Sequence, residues 1–490
     1  MPRAHVTLGV IGGGSGGIAA ALAAGRAGVR TGVVERQPEL GGTATMGGVN
    51  CWEMGVGGTG IPFDIYRRLK RDYPRAVGVY SHGRHFCWQT DGWFWPHRLD
   101  RVCFPGGELV TDPARCYADT LRRHPGPGQK ATEAFCREHW HGVPFLPGPM
   151  AATIQALLRE TRQVSLYLGV GFVAVDAAGG AVRAVTLSDG TVMTADYWVD
   201  GTGGAFAHAC GCATLRGRDP RSRFGEPGAA EQGSEQVNGA TLVYRILPAA
   251  KAMISPLPPG IPTDCWWAKQ FPPMSCVQYP DGGRNCNMLP TMEGQERVAL
   301  GEAEAYVECR RRVLAHWHFV QRYWPEFQAY RLAWIAPLLG TREDRRVVCE
   351  RMLTELDVRA GLSGQQEADH VAIADHALDR HGVGGGCPEL DEPYGVPYGC
   401  LVPQGWRNLL VASRGAGFSS IAASSCRLTR TMMQLGQAAG TAVALAQERG
   451  SELPAVPAAE LRARLQAQRV QLSWPLSAEL AAHVADEAAP

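Results

Sequence analysis

Near its start the chain carries Gly12-Gly13-Gly14-Ser15-Gly16-Gly17, residue types and a spacing suited to cradling phosphates. Gly12 permits a tight turn, Gly14 lets a pyrophosphate approach the backbone, and Gly17 lets a helix pack close to a strand. The free N–H groups of that helix, beginning at Ser15 and Gly16, point a positive dipole end at the same place. Glu35, 18 residues beyond Gly17, stands where an acid accepts a ribose hydroxyl, and Arg36 beside it is counted with the same site. The elements that must hold these groups are legible around them. Val6–Ile11 reads as a strand, an alanine-rich stretch as a helix, and the run ending Val33-Val34 as a second strand. A glycine motif with those flanks and a terminal acid reads as a nucleotide site.

The continuation selects the nucleotide by resemblance. Gly41-Gly42-Thr43 resembles the Gly-Gly-Thr segment that runs beside the ribityl chain and isoalloxazine in the glutathione-reductase-like flavoprotein superfamily. Tyr197-Trp198-Val199-Asp200-Gly201-Thr202-Gly203-Gly204 resembles its "vIDATG" strand and turn. Asn408-Leu409-Leu410-Val411-Ala412-Ser413-Arg414-Gly415, ahead of Leu435–Ala442, is similar to "NLLVAGR…LGQAAGTAAAL" of one branch, the FAD-dependent oxidoreductase family. Leu339-Gly340-Thr341-Arg342-Glu343-Asp344-Arg345-Arg346 resembles that branch's "lGtRESRR", and Tyr398–Pro403 its "y.cLvP". The resemblance implies FAD, held non-covalently by Gly12–Gly17, Glu35, Gly42-Thr43, Asp200–Gly203, Arg414, Gly415 and Ser419, with Phe172 toward the adenine. It also implies that the helix closing the nucleotide domain points its N-terminus at the flavin edge that gains negative charge.

The implied fold is α/β: a Rossmann-like FAD-binding domain with an inserted β-meander, joined to an α+β substrate domain. Its parts are 1–72, 151–215 and 336–450. An irregular excursion at 73–150, a substrate domain at 216–335 and a helical extension at 451–490 complete the chain. Strands are expected at Val164–Val175, Ala181–Leu187 and Thr191–Val199, and helices from Pro149, over Glu302–Arg322, to about Gln447, and over Ala459–Val470.

Transferring a hydride between a substrate and flavin N5 requires a group to take the accompanying proton. Glu53 and Tyr398 are candidates. Arg342 and Arg345, three apart, are expected on one helical face, either anchoring an anionic or polar substrate or pairing with Glu343, Asp344 and Glu350. Cys51 reads as a packed thiol, a substrate-site nucleophile, a flavin tether or a ligand. A second glycine run, Gly55–Gly60, lacks a preceding strand and a following acid, and reads as a flavin-facing loop. Trp93, Phe94 and Trp95 are expected to give one ring to a cavity wall, with a side chain from 216–335 opposite. His82, His85 and His97 lie in the same excursion.

Composition excludes some classes. At 490 residues with 45% hydrophobic and 19% charged residues, the chain is globular and too long for one core. A net charge of +1 gives no reason to expect nucleic acid or an anionic membrane. There is no apolar run of about 18 residues to span a bilayer. Because the first apolar segment is already used as a strand, a cytoplasmic protein is expected. Fifteen cysteines without CxxC pairs argue against zinc or iron–sulfur sites, and no metal is expected. The reading is a dehydrogenase or oxidase acting on a small molecule, its electron acceptor being oxygen, a quinone or a partner protein. The alternative is a flavin-dependent isomerase or lyase, or a flavin-stabilised subunit of a larger complex.

Overall fold

The structure is a computed structural model that describes residues 2–80, 111–267, 274–288, 290–365, 369–382 and 385–488. The fold is α/β. Strand β1 (Arg3–Ile11) is buried on both faces from Leu8 to Ile11, which explains its continuous apolar sequence. It pairs in parallel with β2 (Thr31–Glu35) on one side and β8 (Val192–Asp200) on the other. Outside these lie β5 (Val164–Leu168), parallel to β2, and β17 (Leu409–Val411), parallel to β8. The N-terminal part of β8 pairs instead with β7 (Ala181–Leu187), which pairs with β6 (Phe172–Ala178). One long strand therefore serves the parallel sheet at its C-terminal end and the antiparallel meander at its N-terminal end.

The expected strand Val164–Val175 is corrected to two. Gly169 takes a φ of +69°, so the chain turns there. Residues up to Leu168 join the parallel sheet, and only Phe172 onward enters the meander.

Helix α1 (Ser15–Arg26) follows β1, α2 (Ile61–Asp72) follows the second glycine run, and α3 (Pro147–Glu160) precedes β5. Helix α4 (Ala205–Cys210) follows β8, α5 (Glu302–Tyr323) covers the second sheet, and α6 (Thr429–Arg449) and α7 (Ala458–Ala467) follow β17, with a short helix at Ala478–Ala485 after them. The packing of α1 against α6 depends on missing side chains. A Cβ on Gly436 would stand 2.0 Å from Gly16 O, and one on Gly440 would stand 2.2 Å from Ala20 O.

A second core lies at residues 242–336. Its antiparallel sheet has the order β11 (Met274–Gln278), β12 (Arg284–Met288), β10 (Tyr244–Pro248), β13 (Tyr330–Ile335). Cys309, Val313, Trp317 and Val320 form the buried seam of α5 against it, and Trp324 packs into the same core. Strand alternation sends Met274, Cys276, Cys286 and Met288 into this core and leaves Ser275, Val277, Asn285 and Asn287 on the opposite face. Three small pairs complete the sheets: β3 (Cys51–Trp52) with β4 (Val143–Pro144), β9 (Thr214–Arg216) with β14 (Arg345–Val347), and β15 (His370–Ala374) with β16 (Tyr394–Pro397). Among the described residues, no helix is long and apolar enough to cross a membrane.

Gly440→Ala is expected to lower stability by about 1–3 kcal/mol, the usual cost of forcing a methyl into a filled interface. Gly148→Ala in α3, where a Cβ meets nothing within 4 Å, should change stability by less than about 1 kcal/mol in either direction. Thermal denaturation of both variants checks this, and equal losses would refute the close-approach account.

Candidate active site

Four glycine turns meet beyond the C-terminal ends of β1, β8 and β17, the crevice where open α/β sheets bind ligands. Gly12 has a φ of +97°, and a Cβ there would stand 2.7 Å from Gly201 C and 2.8 Å from Thr202 N. A Cβ on Gly42 would stand 3.1 Å from Gly14 Cα, and one on Gly415 would stand 2.4 Å from Gly203 C. A Cβ on Gly17 would collide with Gly12 O at 1.9 Å. Gly14 itself is open, with only Gly201 O within 4 Å of its Cβ position, at 3.6 Å.

Glu35 is locked at the end of β2, where Oε2 accepts from Gly13 N at 2.7 Å and Oε1 from Gln37 N at 2.8 Å. Arg36 turns outward to an exposed ion pair with Glu302 at 2.6 Å. The first turn of α1, at Ser15, has no side-chain cap and no acid. Nearby, Arg414 Nε and Ser413 Oγ have no hydrogen-bond partner among the described residues. Desolvation lowers the Arg414 pKa, while Asp344 opposes the shift. A bare helix N-terminus and an unsatisfied, desolvated guanidinium beside a glycine cradle fit a diphosphate.

Other expected cofactor residues serve the frame. Asp200 is fully buried and accepts from Thr202 N and Oγ1, both at 2.6 Å, and from Ala207 N at 2.8 Å. It therefore shapes the turn and the start of α4; burial raises its pKa and the Thr202 hydroxyl works against that. Ser419 donates to Glu226 and accepts from Ala422 N, so its hydroxyl is already engaged. Phe172 is half-buried, edge-on to Phe206 at 5.6 Å. Thr43 is half-buried, and its carbonyl receives Val49 N at 3.1 Å.

A cavity of about 70 Å³, open to solvent, lies beside this crevice. Its walls are the segment 49–56, the outward face of the β11–β12 hairpin, Asp375-His376 after β15, and Leu428–Thr431 at the start of α6. Glu53 Oε2 stands 3.3 Å from His376 Nε2 and 3.6 Å from Arg123 Nη1. Arg123 also grips Glu389 at 2.9 Å and lies over the Trp140 ring. Arg430 donates to Gly55 O, Thr120 O, Thr120 Oγ1 and Glu53 O. Asp375 accepts from Val56 N at 3.0 Å and faces His124 at 3.8 Å; burial raises the Asp375 pKa and lowers that of His124. The Gly55–Gly60 loop is closely packed: a Cβ on Gly55 would stand 2.3 Å from Asp375 Oδ1 and one on Gly58 2.3 Å from Leu121 Cδ2.

The expected catalytic residues divide. Cys51 and Glu53 line the cavity, whereas Arg342, Arg345 and Tyr398 are not among its lining residues. The helical face expected for the two arginines is corrected. Arg345 opens β14 opposite Arg216, and Arg342 lies in the preceding loop, donating to Gly239 O at 2.9 Å and Thr241 Oγ1 at 2.8 Å. Desolvation pushes Arg342 down to about 9. Ion pairs formed here include Arg346 with Asp219 at 3.2 Å and with Glu343 at 3.6 Å, Arg216 with Asp344 at 3.2 Å, and Arg297 with Asp344 at 3.8 Å. Tyr398 spends its hydroxyl on Leu453 O at 2.9 Å, deep in the first core. Trp93, Phe94, Trp95, His82, His85 and His97 lie outside the described residues.

Sequence reasoning did not single out His376, Asn50 or Arg430 for the site. The available signal is the acid–histidine pair directly after the apolar strand His370–Ala374.

Residues 8–465 match the model of the family described as FAD dependent oxidoreductase (FAD_oxidored). No curated protein sequence matches the chain. Among solved structures, the chain is similar to a geranylgeranyl bacteriochlorophyll reductase-like protein from Thermoplasma acidophilum, at 11% identity over 99% of this chain and 96% of that one, with a TM-score of 0.43. It is similar to the p-nitrophenol 4-monooxygenase PnpA from Pseudomonas putida DLL-E4, at 12% identity over 99% and 89%, with a TM-score of 0.42. It is also similar to the L-proline dehydrogenase from P. horikoshii, at 11% identity over 96% and 99%, with a TM-score of 0.36.

Burial pushes the Cys51 thiol well above its ordinary value, Glu53 adds to the shift, and Arg430 opposes it. The thiol is therefore expected to resist iodoacetamide in the native protein at pH 8 and to react only after unfolding, as peptide mass spectrometry would show. Rapid native alkylation would mark a thiolate and restore the nucleophile reading.

Proposed function

We propose that this chain, which belongs to the FAD-dependent oxidoreductase family, binds FAD along the four glycine turns and acts on a small organic substrate in the cavity of Cys51–Val56. The observation that carries the reading is the convergence of those turns beyond parallel strands, beside an uncapped helix and an unsatisfied Arg414. Gly12–Gly17 and Arg414 would hold the diphosphate, Glu35 the adenosine ribose, and Gly42-Thr43 and Thr202-Gly203 the ribityl side. When bound, FAD supplies two-electron redox chemistry.

The chain's own part is to bind, orient and move a proton. Glu53 and His376, 3.3 Å apart on the cavity wall, are the acid–base pair that takes the substrate's O–H or N–H proton. Arg430 holds the loop that presents Glu53, donating to Glu53 O and Gly55 O, and is a positioning residue. Trp52, Met54 and Val277 exclude water from one side of the cavity. The thirteen described cysteines are free thiols, which suits the reducing cytoplasm.

Heat-released cofactor from the purified protein should chromatograph as FAD; FMN, or no flavin, would overturn the reading. Glu35→Ala is expected to weaken FAD binding at least about tenfold, roughly 1.4 kcal/mol. Arg36→Ala, its side chain already drawn to Glu302, should change affinity by less than about twofold. Fluorescence titration of apoprotein with FAD measures both.

A further inference from the structure

Arg342 is half-buried, and its guanidinium is fixed on one side only. Nη1 donates to Gly239 O at 2.9 Å and to Thr241 Oγ1 at 2.8 Å. Both acceptors are neutral, and together they use both protons of that nitrogen. Two bonds from one nitrogen hold the guanidinium plane in place. The Nε–H and the two Nη2 protons have no acceptor among the described residues, and neither nitrogen is sealed from solvent. The open side is therefore the Nε/Nη2 edge, whose two parallel N–H groups match the two oxygens of a carboxylate.

The acids around that edge are engaged elsewhere. Asp379 accepts from Arg427 and pairs with His381 Nε2 at 2.8 Å. Glu343, next in the chain, accepts from Asn238 N at 3.1 Å and stands 3.6 Å from Arg346. Glu53 is held by His376 and Arg123. Of the two roles that the sequence leaves open for Arg342, pairing with Glu343, Asp344 or Glu350 is thus not formed among the described residues. Burial and the neighbouring Arg427 both work against the charge on Arg342, and an anion on the open edge would offset both.

The same residues connect this arginine to the cavity. Asp375 and His376 line it, and Asp379 follows three residues later. Arg427 immediately precedes the lining run Leu428–Thr431. Glu53, on the cavity wall, lies within electrostatic reach of Arg342.

We propose that Arg342 receives a carboxylate on its Nε/Nη2 edge, so that the substrate is a small organic acid whose body extends toward Glu53 and His376. This deepens the proposed function and rests on its placing of the reacting group at that pair.

The test uses the purified holoprotein and an isosteric pair of probes, benzoate and benzamide, titrated by calorimetry and against the visible flavin spectrum. Benzoate is expected to bind at least about tenfold more tightly, and Arg342→Gln should cut that preference below about twofold while keeping FAD content and the thermal midpoint. A second measurement needs no variant. Labelling of the wild-type protein with 2,3-butanedione, read by peptide mass spectrometry, should place an adduct on Arg342 that benzoate suppresses and benzamide does not. It decides alone if Arg342→Gln fails to fold. Benzamide binding as tightly as benzoate, a preference that survives in Arg342→Gln, or an Arg342 that takes no label overturns the proposal. Loss of FAD from a folded Arg342→Gln protein also overturns it, because the arginine then serves the cofactor. A purified protein without flavin defeats the proposed function instead, and the labelling still reads whether benzoate reaches Arg342.

Discussion

Everything in this molecule depends on backbone meeting backbone where side chains are excluded. The turn after β1 lies against the turn after β8, that turn lies against the one after β17, and α1 lies against α6, each at distances a methyl group would violate. Such contacts carry little apolar area, so they contribute little hydrophobic free energy themselves. They act by geometry. They bring the ends of β1, β8 and β17 and the uncapped start of α1 together, beside an Arg414 Nε that has no partner among the described residues.

The cavity obeys a different constraint. Among the described residues its carboxylates are tied down one by one: Glu53 by His376 and Arg123, Asp375 by Val56 N and His124, and Glu389 by Arg123. Removing Arg123 would leave Glu53 with less compensation inside the protein, which explains why Arg123 is shared between Glu53 and Glu389 and lies over Trp140. Groups coupled this closely take up or release a proton as a set rather than singly.

The cofactor half of the site is legible in the sequence because its residues are close in the chain and glycine leaves a strong trace. Gly12–Gly17 and Glu35 lie on consecutive elements, and backbone approach of this kind permits only one residue type. The substrate half is legible only in part: Cys51 and Glu53 stand out beside the glycine segment, but His376 meets Glu53 only through tertiary folding and is not unusual where it stands. Arg342 and Arg345 show the opposite failure. Their spacing fits a helix, but the pairing of β14 with β9 overrides that local pattern. The run Val164–Val175 misleads for a simpler reason: its strand propensity is real throughout, and one residue of positive φ divides it between two sheets.

The two faces of the β11–β12 hairpin have separate masters. Met274, Cys276, Cys286 and Met288 answer to their own core, while Ser275, Val277, Asn285 and Asn287 look toward the cavity. The hairpin also steadies the floor beside it: Asn285 donates to Gly48 O, and Tyr279, just past β11, donates to Asn50 O. Divergence can therefore proceed by exchanging alternate residues on one short ribbon. Ser275, Val277 and Asn287 are free to vary under selection for a new substrate, whereas Asn285 is held back by its second duty. The glycine turns, tolerating no variation, would persist unchanged through such a radiation, so lineages of this architecture should differ most in every second residue of a single hairpin.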